Sequence, residues 1–312
     1  MPDLPTELIC AILINSVRQY MGQDRSTAVS IASTSHAVYN LVRADLYYTI
    51  FINDRNYRTV MLLIRSRSRI LNDVRRLYAP PSFRLDVSLY EFPWLQEFDA
   101  RPITVTPLLR PPITRLYFRA ALGDVKVPRH FQAATHFTTH LPRNCFFYGD
   151  WLPSDDLGVR KHIEDLAWTL PHLTHFGIDL RDFDLLEFRR LDCGTPDAML
   201  SESKLPSALQ SALDGALRLG FRGDRQSDTG LRSLECVAVY VSHANLVEWR
   251  STIEPMMRRI VSNKPDDAAR LHIWVDSREA TTVEEEERMH ALDAVRRIDI
   301  FSEAQPILSL RE

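Results

Sequence analysis

Glycine is scarce in this sequence, at 10 of 312 residues. There is little material for a loop that wraps a phosphate, and no Gly-rich P-loop, Gly-x-Ser-x-Gly elbow or dinucleotide fingerprint is present. Cysteine is thin as well. Cys10, Cys145, Cys193 and Cys236 lie far apart, with neither the close pairs that clip zinc nor the density of a secreted disulfide scaffold. A reducing compartment is the default expectation, so we place the protein in the cytoplasm and/or nucleus. Neither charge is in excess. Lys+Arg 38 against Asp+Glu 41 leaves a formal charge of -3, which provides no global positive field to gather phosphates, and nucleic acid is not expected as a partner. No stretch approaches the roughly 20 consecutive apolar residues that cross a bilayer, so no membrane is expected either. The apolar run from Leu8 to Ile14 follows Asp3 and Glu7, where a secretory signal wants Lys or Arg.

What the chain does hold is 45% apolar residues in a length above that of one average domain. It is expected to fold, either as two unequal modules or as one module followed by an elongated array.

The opening segment places Leu8, Ile9, Ile12, Leu13 and Val17 at helical spacing. Pro5 stands where a helix begins without needing an N–H, and Glu7 suits the positive end of the helix dipole. After a turn at Gly22, Asp24 and Ser26 are candidate caps for a second short helix carrying Ala28, Val29 and Ala32. Ser35 is a candidate cap for a third, lined by Val38, Leu41, Val42 and Leu46. Three short helices in about 45 residues form a core below the usual size for independent stability.

The period then changes. LYYTIFI (46–52) reads as a strand, followed by a helix capped by Asp54 with Tyr57, Val60, Met61 and Ile64 on one stripe. Further short strands are expected in DVRRLYAP (73–80), ITRLYF (113–118), ATHFTTHL (134–141), HLTHFGIDL (172–180), SLECVAVYV (233–241) and ARLHIWV (269–275). Helical patterns lie between several of them: HIEDLAWTL, LPSALQSALDGALRLG, LVEWRSTIEPMMRRIV and a last one from about Thr282. Strands alternating with helices imply an α/β fold with a curved, mostly parallel sheet and right-handed crossovers. The spacing is too uneven for a regular repeat, which makes the array an irregular solenoid, with 92–112 and 222–230 as insertions looping off one face.

The order LPTELICAIL, a polar linker, then VSIASTSHAVYNLVRADLYYTIFI resembles the F-box of fungal F-box-like proteins. Leu4, Pro5, Glu7, Leu8, Ile9, Ile12 and Leu13 match the Leu-Pro start and the apolar stripe of that family's first helix. Ala32, Ser33, Ser35, Leu41, Val42, Arg43, Leu46 and Tyr47 match its alanine- and serine-rich third helix with a Leu-Val-Arg end. Val38 stands where the family usually has a large aromatic, with Tyr39 beside it, and Ala44 where it often has proline. The match covers about 50 residues, and the array that follows loosely resembles leucine-rich repeats.

The resemblance implies an F-box-like helical module over 1–47 and an irregular leucine-rich-repeat-like substrate-recognition domain over 48–312. It implies a non-catalytic substrate-recognition subunit of a Skp-cullin-F-box ubiquitin ligase, acting in ubiquitin-dependent degradation. Its partners would be the Skp adaptor, the cullin ligase complex and an unidentified protein substrate. Leu4, Pro5, Glu7, Leu8, Ile9, Ile12, Leu13, Val29, Ala32, Val38, Tyr39, Leu41 and Val42 are then the adaptor-binding candidates. Periodicity alone leaves two places for the leucines, a groove on a partner or an internal three-helix core. Two other readings stand beside this one: a repeat-type interaction scaffold whose helices only cap the array, and an α/β hydrolase or transferase with a site at the strand ends.

Signs of chemistry are few. His136 with His140 and His172 with His175 sit at the ends of expected strands, and no HExxH motif is present. Asp155 with Asp156 and Asp266 with Asp267 are adjacent rather than facing carboxylates. Cys193 would need a histidine beside it in space to act as a nucleophile. The glutamates at 284–287 fit a capped helix, with Thr282 and Glu285 at capping-box spacing and Arg296 and Arg297 in the last turn. Arg65, Arg67, Arg69, Arg75 and Arg76 read as a solvated helix end. No catalytic residue, metal site or cofactor is expected.

Overall fold

Side-chain caps start the N-terminal helices where the sequence supplies them. In the computed structural model, which describes residues 5–21, 24–79, 92–99, 113–118, 131–140, 166, 169–180, 213, 216–217, 234–242, 249–263, 269–276, 278, 289, 293 and 300–306, α1 spans Thr6–Met21, α2 Arg25–Ala32 and α3 His36–Leu46. The Pro5 carbonyl accepts the amides of Leu8 and Ile9. The Asp24 carboxylate accepts the Ser26 amide and the hydroxyls of Ser26 and Thr27. Those hydroxyls, Ser26 first, hold the Asp24 carboxyl below its usual range. Ser35 caps α3 by accepting the Val38 amide. Val17, Met21, Ala28, Ala32, Val42 and Leu46 form the buried cluster between the three helices. The two alanines let α2 approach closely, and Arg18 ties α1 to α3 through Asp45 at 2.8 Å.

The chain divides into two compact units, residues 1–112 with 282–298 and residues 113–281 with 299–312. In the first, α1–α3 lead into β1 (Thr49–Phe51), α4 (Tyr57–Arg65), a 3-10 turn (Arg69–Asp73), β2 (Arg76–Tyr78) and β3 (Glu97–Asp99). The three strands run parallel, with Thr49, Arg76 and Glu97 in one register row and Phe51, Tyr78 and Asp99 in another.

Three expectations change here. The strand expected over 46–52 contracts to Thr49–Phe51, because Leu46, one turn beyond Val42, extends α3 to fill the helical cluster. Asp54 does not cap α4. Asn53 accepts the amides of Arg55 and Asn56, while the Asn56 side chain donates to the Phe51 carbonyl and accepts the Asn53 amide. An amide side chain both donates and accepts, so it can tie the strand end to the helix start, which a carboxylate cannot do. Within the expected insertion over 92–112, residues 97–99 form β3, which is too short to show an alternating pattern. Arg76, nearly buried on β2, meets Glu97 at 3.2 Å and Asp99 at 3.6 Å across that pairing.

The second unit contains β4 (Arg115–Phe118), β5 (His136–His140), β6 (His175–Asp179), β7 (Cys236–Ser242), α5 (Glu254–Asn263), β8 (Leu271–Asp276), α6 (Ile300–Glu303) and β9 (Gln305–Pro306). β4 to β8 pair in chain order and in parallel, and β9 returns antiparallel to β8. Leu166, Leu213, Ala216 and Leu217, within the helical patterns read between the strands, are helical and buried. Apart from Thr169 and Leu170, the rest of those two segments, the helix expected from Thr282 apart from residues 289 and 293, and the loop 222–230 lie outside the described residues. Before α5 the backbone widens into a π turn at Trp249–Ile253, where Pro255 has no N–H to give the Ser251 carbonyl.

Alternation sorts β4–β8 into two faces. Leu116, Phe137, Phe176, Val237 and Leu271 form one register row, all buried, with the Phe137 and Phe176 rings stacked 6.1 Å apart. One residue earlier on each strand, and so on the other face, come Arg115, His136, His175 and Cys236. These features establish an α/β chain whose strands are mostly parallel.

Candidate functional site

The helical cluster uses only part of the apolar surface that α1 offers. Val17 and Met21, in the C-terminal half of α1, are buried against α2 and α3, with Ile14 and Tyr20 packed at their edge. The N-terminal half has no such cover. Leu8, Ile9 and Ile12 are 46%, 43% and 50% exposed, and Val29 on α2 is 49% exposed. Leu8 and Ile12 are one turn apart and share a helix face with Ile9 between them. A soluble surface tolerates scattered apolar side chains. Three within five residues of one helix concentrate them.

The structure distributes the thirteen sequence candidates over three environments. Leu4 lies outside the described residues. Pro5, Glu7, Leu8, Ile9, Ile12 and Val29 are exposed, and Leu13 and Val38 are half-buried. Ala32 and Val42 are buried inside the helical cluster, with half-buried Tyr39 and Leu41 packed against it. The last four therefore shape the core that presents the others. Tyr47, at the end of α3, is partly buried and bonded to Tyr39. Burial first, then that bond, pushes its phenol up to about 12.

The other sequence signals separate cleanly. His136 and His140 begin and end β5, where extended backbone puts their Cα atoms about 13 Å apart. His172 sits in the turn before β6, which His175 opens. Among the described residues no group of three His, Cys, Asp or Glu side chains is gathered as a metal would need. Asp155, Asp156, Cys193, Asp266, Asp267 and the glutamates at 284–287 lie outside the described residues. Arg65, Arg67 and Arg69 are exposed around the end of α4, and Arg67 takes a left-handed φ of 48°. Arg75 turns back to the carbonyls of Asn72 and Val74.

At the C-terminal ends of the strands, where α/β sheets place ligands, three aspartates are buried and each is engaged within the chain. Asp99 meets Arg76, Asp179 accepts the Tyr117 hydroxyl, and Asp276 holds Arg278 through both oxygens.

Sequence reading missed one constellation. The triplet Thr-His-Phe occurs at 135–137 and again at 174–176, and β5 and β6 pair the two copies residue for residue. The signal was present as a short repeated string at unequal spacing. Its meaning depends on register, which one sequence does not provide. Among the described residues no helix is long and apolar enough to cross a membrane. No family model matches the sequence, and no curated protein matches it.

Proposed function

We propose that this chain is a substrate-recognition subunit of a Skp-cullin-F-box ubiquitin ligase. In this reading residues 1–47 are an F-box-like helical module that docks on the Skp adaptor. The following region is an irregular leucine-rich-repeat-like solenoid that binds a protein substrate. The subunit works by joining two partners and needs no catalytic group of its own. The observation that carries the reading is the exposed row Leu8, Ile9 and Ile12 on a helix that spends Ile14, Val17, Tyr20 and Met21 on an internal core. An amphipathic helix with an uncovered apolar end suits insertion into a hydrophobic groove. The motif order of the first 50 residues indicates whose groove it is. Glu7 and Pro5 stay exposed at the helix start, available to the same partner.

Co-purification of the full chain with the Skp adaptor tests this directly. Wild type is expected to form a stoichiometric complex. Leu8→Ala with Ile12→Ala is expected to weaken it by about 2–4 kcal/mol if these side chains are hot spots. A chain that ignores the adaptor, or a double variant that binds as tightly as wild type, overturns the reading.

A further inference from the structure

The outer face of α4 and the turn that ends it carry a surface that the docking reading leaves unused. From Arg55 to Asn72 the sequence holds five arginines, Arg55, Arg58, Arg65, Arg67 and Arg69, and no acid. All five are exposed. The chain as a whole carries a formal charge of -3, so this is a local concentration of positive charge on a slightly acidic protein. Of the acids that flank the stretch, Asp54 precedes the start of α4, and Asp73 faces Arg43 at 2.7 Å.

Helical spacing sorts α4 into two sides. Val60 and Ile64 are buried. Arg58, Leu62 and Arg65, at i, i+4 and i+7, share the outward side and span about 10 Å along the axis. Leu62 is 63% exposed, the most open large apolar side chain among the described residues. An apolar side chain between two guanidinium groups gives the face a centre that sheds water and a rim that holds charge, which is the anatomy of a docking surface.

The turn beyond α4 is firmly held, and held against the preference of its own sequence. Arg67 donates its amide to the Ile64 carbonyl at 2.9 Å, and Ser68 donates to the Leu63 carbonyl at 3.0 Å. These are the paired bonds of a helix end in which the residue after the cap is left-handed. Glycine ordinarily fills that position. Here it is Arg67, with a φ of 48°. Ser68 then accepts the Ile70 amide and starts the 3-10 turn. Fixed at both ends, residues 65–69 present Arg65, Arg67 and Arg69. Glycine would close this turn with less strain, so the local backbone gives no reason for Arg67, and its guanidinium is the feature left to explain it.

We propose that this face docks an acidic segment of another protein, one whose Asp or Glu carboxylates flank a single apolar side chain. The planar guanidinium fork meets a carboxylate through two parallel N–H donors, and Leu62 meets the apolar side chain between them. A lone exposed ion pair contributes little. Several on one fixed turn act together. A nucleic-acid duplex would use the charges and leave Leu62 idle, and one leucine offers too little apolar area to hold the chain on a bilayer. The surface lies outside α1–α3 and does not rest on the adaptor reading.

Fluorescence anisotropy of the full chain with a labelled peptide tests the proposal, the peptide being about ten residues long and Glu-rich, with one central leucine. Wild type is expected to bind it, more weakly as salt rises from about 50 to about 300 mM, and to ignore the same peptide with Lys in place of Glu. Arg65→Gln, Arg67→Gly and Arg69→Gln together should weaken binding roughly tenfold. Arg67→Gly alone should weaken it about twofold while the unfolding midpoint stays at or above that of wild type, a split that a merely structural arginine does not give. Leu8→Ala with Ile12→Ala should bind as wild type does. Equal binding of the two peptides, undiminished binding by the triple variant, or loss of binding in the α1 variant overturns the proposal. So does tighter binding to phosphatidylserine vesicles or to duplex DNA than to the acidic peptide. If the triple variant does not fold, Arg67→Gly decides alone, and wild-type affinity or a lowered midpoint there counts against the proposal.

Discussion

The N-terminal helices and the parallel strands of the second unit treat apolar residues in opposite ways. β7 hides both faces: from Cys236 to Val241 every side chain is buried. α1 buries Val17 and Met21 at one end and leaves Leu8, Ile9 and Ile12 in water at the other. A strand inside a parallel sheet is covered by its own chain on either side, so its apolar run reports a finished core. A short helix in a three-helix cluster has a stripe longer than its neighbours can cover. The same hydrophobic count therefore means closure in one region and an open face in the other.

Breaking the closed region should cost most. Phe176→Ala removes one ring of the buried stack with Phe137 and is expected to lower unfolding free energy by about 3–5 kcal/mol in urea titration. Leu46→Ala strips the helical cluster of a buried leucine. About 2–4 kcal/mol is expected, read as a lower denaturation midpoint of the N-terminal helices. Against these, Leu8→Ser with Ile12→Ser should leave stability within about 0.5 kcal/mol per site, and the two substitutions should reduce binding of a hydrophobic dye. A loss as large as that of Leu46→Ala would show that the face is closed in solution.

Two titrations sharpen the picture at smaller scale. The Tyr47 phenol is raised in the fold from near 10 to about 12, so its contribution is complete below the ordinary value and is lost as pH rises through the folded one. Phenolate absorbance should show one late-titrating tyrosine, absent in Tyr47→Phe. Asp24 is shifted the other way. Its contribution is present above the usual carboxylate range and disappears as pH falls through its lowered value. Asp24→Asn should flatten that acid limb slightly, as read by helix circular dichroism.

Much of the fold was legible because local chemistry set it. Asp24 and Ser35 cap their helices as their residue types suggest, Arg76–Tyr78 and His136–His140 lie inside the strands expected over 73–80 and 134–141, and Leu271–Asp276 runs one residue past the one expected over 269–275. What escaped depends on distant partners. β3 is three residues long, and the buried Arg76 meets its acids across the pairing. α4 starts on a pair of asparagines, of which Asn56 donates back to the Phe51 carbonyl of β1 and Asn53 accepts the amides ahead of it. In the candidate surface, helical spacing selected Leu8, Ile9 and Ile12 together with Ala32 and Val42. It could not tell outward from inward, because that depends on where α2 and α3 lie. The Phe301 contact with His136 and His175 joins segments more than a hundred residues apart in sequence, and no local pattern marks it.

Pro306 of β9 has a consequence for the edge of the sheet. Opposite His272 on the last parallel strand stands a residue without an amide proton, so at that rung β9 cannot offer an onward donor to another chain. The ladder that grows strand by strand from β4 is terminated there by a blunt antiparallel stub. A bare β8 border would instead invite copies to stack into fibrils.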